Sequence, residues 1–140
     1  MILNTTYPDK KIKQLIESKV GASFSIFEKI KMKGIGSSKL QIIEASRQIQ
    51  KLIGHNHDTA YSNIELRKTG IVVGFSTVGR KYALCIPYYQ LSIYYNGGLL
   101  TISGPENHLK AKAPFNGQIN KRFLSKLLKL KAEFIQNPKL

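Results

Sequence analysis

Residues 70–103 run GIVVGFSTVGRKYALCIPYYQLSIYYNGGLLTIS, and this stretch decides the fold class. Ile71, Val73 and Phe75 fall on one side of a pleated strand, while Val72, Gly74 and Ser76 fall on the other, so one face suits a core better. Glycine-bearing turns interrupt the apolar runs at Val78-Gly79-Arg80 and Asn96-Gly97-Gly98. Thr69-Gly70 precedes the stretch's first run, and Gly104-Pro105-Glu106-Asn107 follows its last. Working outward, the predicted strands cover 64–68, 71–76, 81–86, 90–95, 99–103 and 109–113. Connections this short cannot hold a crossover helix, so neighbouring strands are expected to be antiparallel. Asn96-Gly97 is the strongest hairpin signal in the chain.

The flanks read as helical. Ile12, Leu15, Ile16 and Val20 recur at helical spacing within 7–20, with Thr6 and Asp9 placed to cap the start. Residues 118–136 carry Ile119, Phe123, Leu127, Leu130 and Phe134 on one stripe, and Asn137-Pro138 supplies the stop. Such a leucine-rich face must dock, and the open face of the sheet is the economical place. A further helix is predicted over 39–53, where Ile42, Ala45, Ile49, Leu52 and Ile53 form a stripe, Ser38 and Gln41 a capping box, and Gly54 a stop. Residues 22–33 fit two patterns. Their even positions are apolar, as in a half-buried strand, yet Phe24, Phe27 and Ile30 also share a helical face.

The chain has 140 residues, 42% of them hydrophobic, which is one globular domain's worth; at that size roughly 68% of the extended chain's surface can be buried without a disulfide or metal. The expected division is a helical extension over 1–60, followed by a β-meander and closing helix over 61–140. The single cysteine, Cys85, lies in an apolar run and reads as a small buried hydrophobe in a reducing, cytoplasmic protein. The N-terminus carries no apolar signal core, and no run approaches the length of a membrane span.

Charge is the one unusual bulk property. Twenty-two Lys and Arg against eight Asp and Glu give +14. Residues 1–57 carry +6 of it, 58–114 only +3, and 115–140 +5, so the excess lies toward the predicted helical ends. Such a field attracts polyanions, although lysine-rich solvated faces produce the same count.

Sites of chemistry are sparse. His55-Asn56-His57-Asp58 offers imidazole and carboxylate, but His108 is the only other histidine, and a polar loop explains the group better than a metal site. Gly34-Ile35-Gly36-Ser37-Ser38-Lys39 is glycine-rich ahead of a predicted helix, without the spacing of a nucleotide-binding loop. Five of the seven tyrosines, Tyr82, Tyr88, Tyr89, Tyr94 and Tyr95, are clustered; alternation sends them to both faces, so they make no single stacking platform. No nucleophile elbow or paired-carboxylate spacing occurs. Nothing in these residues calls for an enzyme, a cofactor, a metal or a small-molecule substrate.

The run Gly70 to Phe75, followed by Ile86-Pro87-Tyr88-Tyr89-Gln90-Leu91 and the strand–glycine turn–strand that ends at Ile102, resembles the bacterial pleckstrin-homology-like proteins. The resemblance covers about residues 61–136 and includes the terminal helix, which that family uses to close a bent antiparallel sheet. The first sixty residues depart from the family's simple pattern. The resemblance implies an α+β fold with a curved antiparallel sheet, and a non-catalytic binding or assembly module that works through a surface. Phosphoinositide binding does not carry over, because no matching basic loop motif is present.

The expectation is therefore a cytoplasmic module that binds a protein partner or self-associates. Arg67, Lys68, Arg80 and Lys81, which flank two predicted turns, are the first candidates for an anion contact. The alternative is a nucleic-acid-binding protein in which Lys29, Lys31, Lys33, Lys121, Arg122, Lys126 and Lys129 join them on the phosphates. The expected core comprises Ile71, Val73, Phe75, Leu84, Ile86, Leu91, Ile93, Leu127 and Leu130.

Overall fold

Eight antiparallel strands and four helices follow one another in a computed structural model that describes residues 1–54, 60–113 and 119–136. The order is β1 (Ile2–Asn4), α1 (Lys10–Val20), α2 (Ile26–Lys31), β2 (Leu40–Ala45), α3 (Arg47–Ile53), β3 (Tyr61–Leu66), β4 (Gly70–Thr77), β5 (Arg80–Pro87), β6 (Ser92–Asn96), β7 (Leu99–Ser103), β8 (His108–Lys112) and α4 (Lys121–Gln136). The strands form one sheet in the order β1-β5-β4-β3-β2-β8-β7-β6, and every pairing is antiparallel, as the short connections predict for β3–β4, β4–β5, β6–β7 and β7–β8.

The central meander follows the sequence closely. Asn96 pairs with Leu99 across a two-residue Gly97-Gly98 loop, in which both glycines have positive φ, 60° and 80°. Such a loop matches the twist of its flanking strands, and glycine adopts it without the steric cost a side chain would add. The predicted strand over 90–95 starts later than expected, because Tyr88–Gln90 forms a 3-10 turn in which Tyr88 is buried.

The sheet is bent. In a flat sheet β5 and β7, five strand spacings apart, would lie roughly 24 Å from each other. Yet a Cβ built on Gly104, just after β7, would sit 3.4 Å from the Ile86 side chain on β5. The enclosed face holds Ile64, Leu66, Ile71, Val73, Phe75, Leu84, Ile86, Leu100, Ile102 and Leu109 in one cluster, closed by Phe123, Leu124 and Leu127 of α4 and Ile49 and Ile53 of α3. Of the expected core, Ile93 and Leu130 are only partly buried. The docked C-terminal helix is present as expected, beginning at Lys121.

The outer face is covered in part by α1. Its Ile16 and Val20 pack with Cys85, and Leu3, Ile12 and Val72 surround that second cluster. Asp9 alone caps α1, accepting from the Ile12 N–H at 2.9 Å. The Thr6 hydroxyl does something else: it accepts from the Lys81 N–H at 3.0 Å, and so ties the chain end to β5.

The N-terminal sixty residues are not a helical extension. They supply β1, which pairs with β5, and β2, which lies between β3 and β8 and joins the two halves of the sheet. The helix expected over 39–53 is a strand followed by the short helix α3. A β-bulge between Ile42 and Glu44 places Leu40, Ile42 and Ala45 inward, at spacings of two and three rather than two and two. With Ile49 and Ile53 beyond, that irregular spacing imitates a helical stripe. Ser38 and Gln41 therefore cap nothing; Gln41 pairs with Tyr61 and Lys112 inside the sheet. The glycine-rich segment ahead of it is no free hinge either. Ser37 N–H donates to the Ile64 carbonyl, Leu66 N–H donates to the Ile35 carbonyl, both at 2.8 Å, and Gly36 bridges to Glu65.

Candidate docking surface

The two-way pattern over 22–33 resolves as a helix because Ser25 and Glu28 form a complete capping box. The Ser25 hydroxyl accepts from the Glu28 N–H, and the Glu28 carboxylate accepts from the Ser25 N–H, each at 3.1 Å. The Ser25 backbone N–H, then its hydroxyl, and to a lesser degree nearby Lys68, hold the Glu28 carboxyl below the usual range. This Ser-x-x-Glu signature at 25–28 was visible in the sequence and outweighs the alternation around it.

No residue of α2 is buried. Phe24, which is buried, and the half-buried Met32 anchor the segment on either side of the helix. Ile26, Phe27 and Ile30 between them are 78%, 79% and 72% exposed. The helix ends through Lys33 and Gly34, both at positive φ, and Lys126 of α4 reaches over to hold that end. The Lys126 ammonium donates to the carbonyls of Met32 (3.1 Å), Lys33 (3.4 Å) and Gly34 (2.9 Å). A cation on these outward-pointing carbonyls offsets the negative end of the helix and fixes α2 against α4.

Between them lies a cleft of about 600 Å³, lined by Met32, Lys33, Asn120, Lys121, Arg122 and Lys126, with no carboxylate lining it among the described residues. The Asn120 side-chain oxygen accepts from the Arg122 N–H at 2.9 Å and so starts α4 at the cleft floor. Lys33, Lys121, Arg122 and Lys126 of the second candidate set thus meet at one place. Lys29 and Lys31 stand on α2 beside it, and Lys129 is one helical turn farther along α4.

The first candidate set does not converge. Arg67 and Lys68 lie in the β3–β4 link and Arg80 and Lys81 at the β4–β5 hairpin, so the length of β4, about 24 Å, separates the pairs. Arg67 is engaged within the fold, where its guanidinium pairs with Glu65 and donates to the Gly21 carbonyl at 3.2 Å. Lys68 instead extends the α2 surface, with its ammonium 3.9 Å from Glu28.

The tyrosines are dispersed. Tyr82 stacks on Phe75 at 5.2 Å in the core, and Tyr88 is buried with its hydroxyl donating to the Arg67 carbonyl at 2.6 Å. Tyr89 and Tyr94 are exposed, and Tyr95 is half-buried. Cys85 is buried as expected, and burial pushes its thiol pKa up, away from reactivity. The group at His55, His57 and Asp58 lies outside the described residues. Among the described residues no three His, Cys, Asp or Glu side chains gather as a metal site would require, and no helix is long and apolar enough to cross a membrane.

No protein-family model, curated protein or solved structure matches this chain.

Proposed function

We propose that this chain is a non-catalytic binding module of the pleckstrin-homology-like kind, working in the cytoplasm, and that its ligand is a protein segment combining apolar anchors with carboxylates. The sequence resemblance, the bent antiparallel sheet and the docked C-terminal helix support the fold part of this assignment. The observation that carries the function is the exposure of Ile26, Phe27 and Ile30 on a helix latched to the body by Lys126 and bordered by Lys29, Lys31, Lys33 and Lys68. Three large apolar side chains displayed together on a small protein mark an interaction surface. The surrounding lysines select its partner by charge. They also disfavour a second copy of the chain, because two +14 molecules meeting through the same basic face repel.

A display library of random peptides, selected on the wild-type protein and counter-selected on I26S/F27S/I30S, tests the assignment. The expected result is a consensus of two or three aliphatic or aromatic anchors flanked by Asp and Glu, with affinity lost in the triple variant. Peptides that bind both proteins equally would overturn it.

The convergence of Lys33, Lys121 and Arg122 on one cleft favours nucleic acid as the second reading. That reading predicts that labelled RNA or DNA binds near physiological salt, with a log–log salt slope of several phosphates that falls in K121Q/R122Q.

A further inference from the structure

A second cavity lies on the outer face of the sheet, away from α2. Alternation along β3, β4 and β5 brings Tyr61, Asn63, Gly74, Ser76 and Lys81 to that face, in the rows Tyr61–Ser76–Lys81 and Asn63–Gly74–Ala83. Gly74 has no side chain, and the Asn63 amide occupies that space and forms the floor there. A Cβ at that position would meet the Asn63 side-chain oxygen at 2.6 Å, so the Asn63 amide lies folded over the glycine. The resulting groove has a volume of about 470 Å³.

Its two ends are cationic. From the β2 side Lys39 extends over Tyr61, its ammonium 4.1 Å from the ring centroid, a contact that orders an otherwise free side chain. At the β5 side stands Lys81, whose backbone is fixed on both polar groups: the Thr5 N–H donates to its carbonyl at 2.8 Å, and its own N–H donates to the Thr6 hydroxyl. Thr5 and Ser76 add hydroxyl donors to the walls, and no carboxylate among the described residues lines the groove.

We propose that this groove binds a small phosphate monoester, with the phosphate held between Lys39 and Lys81 and the organic part lying against the Asn63 amide that covers Gly74. Phosphate fits better than carboxylate because both cations are lysines, point charges that serve a tetrahedral anion, whereas planar bidentate recognition calls for arginine. The volume accommodates a molecule up to the size of a mononucleotide. The site owes nothing to the α2 surface, and either assignment stands or falls without the other.

The test is a titration of isotope-labelled protein, followed by amide NMR shifts, with ribose 5-phosphate, adenosine monophosphate, inorganic phosphate and uncharged adenosine. The esters should saturate with a dissociation constant below about 1 mM, moving the amides of Asn63, Gly74 and Ser76, and should bind more tightly than inorganic phosphate, while adenosine causes no saturable shift. K39Q/K81Q should weaken the esters about tenfold, and K10Q/K11Q, which removes the same charge from α1, should leave them unchanged. All four sites are exposed lysines, so both variants keep the fold, which a dispersed spectrum verifies. The proposal is overturned if no ester saturates, if inorganic phosphate binds as tightly as the esters, or if the K10Q/K11Q control loses as much affinity as K39Q/K81Q.

Discussion

Tyr88 is fully withdrawn from solvent, and its hydroxyl satisfies the Arg67 carbonyl in the link that starts β4. Burial raises its phenol pKa above the ordinary value of 10. In the unfolded chain the phenol loses its proton near pH 10, while the folded chain keeps it. Its contribution to stability is therefore complete below pH 10 and declines above it, by up to about 1.4 kcal/mol per pH unit. Tyr88→Phe should cost about 1 kcal/mol at pH 8 and show a smaller further loss between pH 8 and pH 11 than the wild type, read from urea midpoints. Gly70 makes a second prediction at this scale. A Cβ there would meet the Ile86 carbonyl at 2.5 Å and the Val20 side chain at 2.7 Å, so Gly70→Ala should lower stability by about 1–3 kcal/mol in chemical denaturation, although alanine is small. The sequence marked Gly70 as a turn residue. Its true constraint, the close approach of the β5 backbone at Ile86 and of Val20 on α1, depends on residues sixteen and fifty positions away and has no local signal.

Elements were legible where one period dominated. Within β3–β5 and within β6–β8 the alternation and the turn residues agree, and the pairings follow; β5 and β6, linked through the Tyr88–Gln90 turn, do not pair although their connection is short. They were illegible where a local irregularity changed the period, as the bulge in β2 does, and where an element was too short to show one, as in three-residue β1. The two helices that frame the docking surface depend on each other through Lys126. Replacing it with Met retains the aliphatic stem but frees three carbonyls. Hydrogen exchange should then speed up in α2 while the β4 and β5 amides remain protected, with a global loss of about 1–2 kcal/mol. α4 behaves differently, because its Leu127 is fully buried in the main cluster. Leu127→Asp should abolish cooperative melting, as an unpaired buried carboxylate costs more than a small domain can sustain. A soluble variant with a sharp melt would contradict the docked-helix arrangement. The candidate surface itself was half legible: its lysines were named from the sequence, but the exposure of Ile26, Phe27 and Ile30 follows from where the capping box turns the helix.

For the molecule as a whole, the +14 charge has a mechanical consequence. Only three ion pairs are found among the described residues, so most of the cations repel one another across a body about 40 Å wide or less. Screening should relieve that strain: the urea midpoint at pH 7 is expected to rise between 20 and 300 mM sodium chloride, the reverse of a protein held by surface ion pairs. The strand order carries a further consequence, in time rather than space. The pairings from β3 to β5 and from β6 to β8 close over short stretches of chain, but β1 waits for a partner about eighty residues later and β2 for one about seventy later. During synthesis both leave the ribosome long before those partners exist. Once β3 has paired with one edge of Leu40-Gln41-Ile42-Ile43, the other edge is still open and adhesive, and Lys39 on one side with Arg47 beyond the other acts as a pair of charged gatekeepers against premature association until β8 arrives.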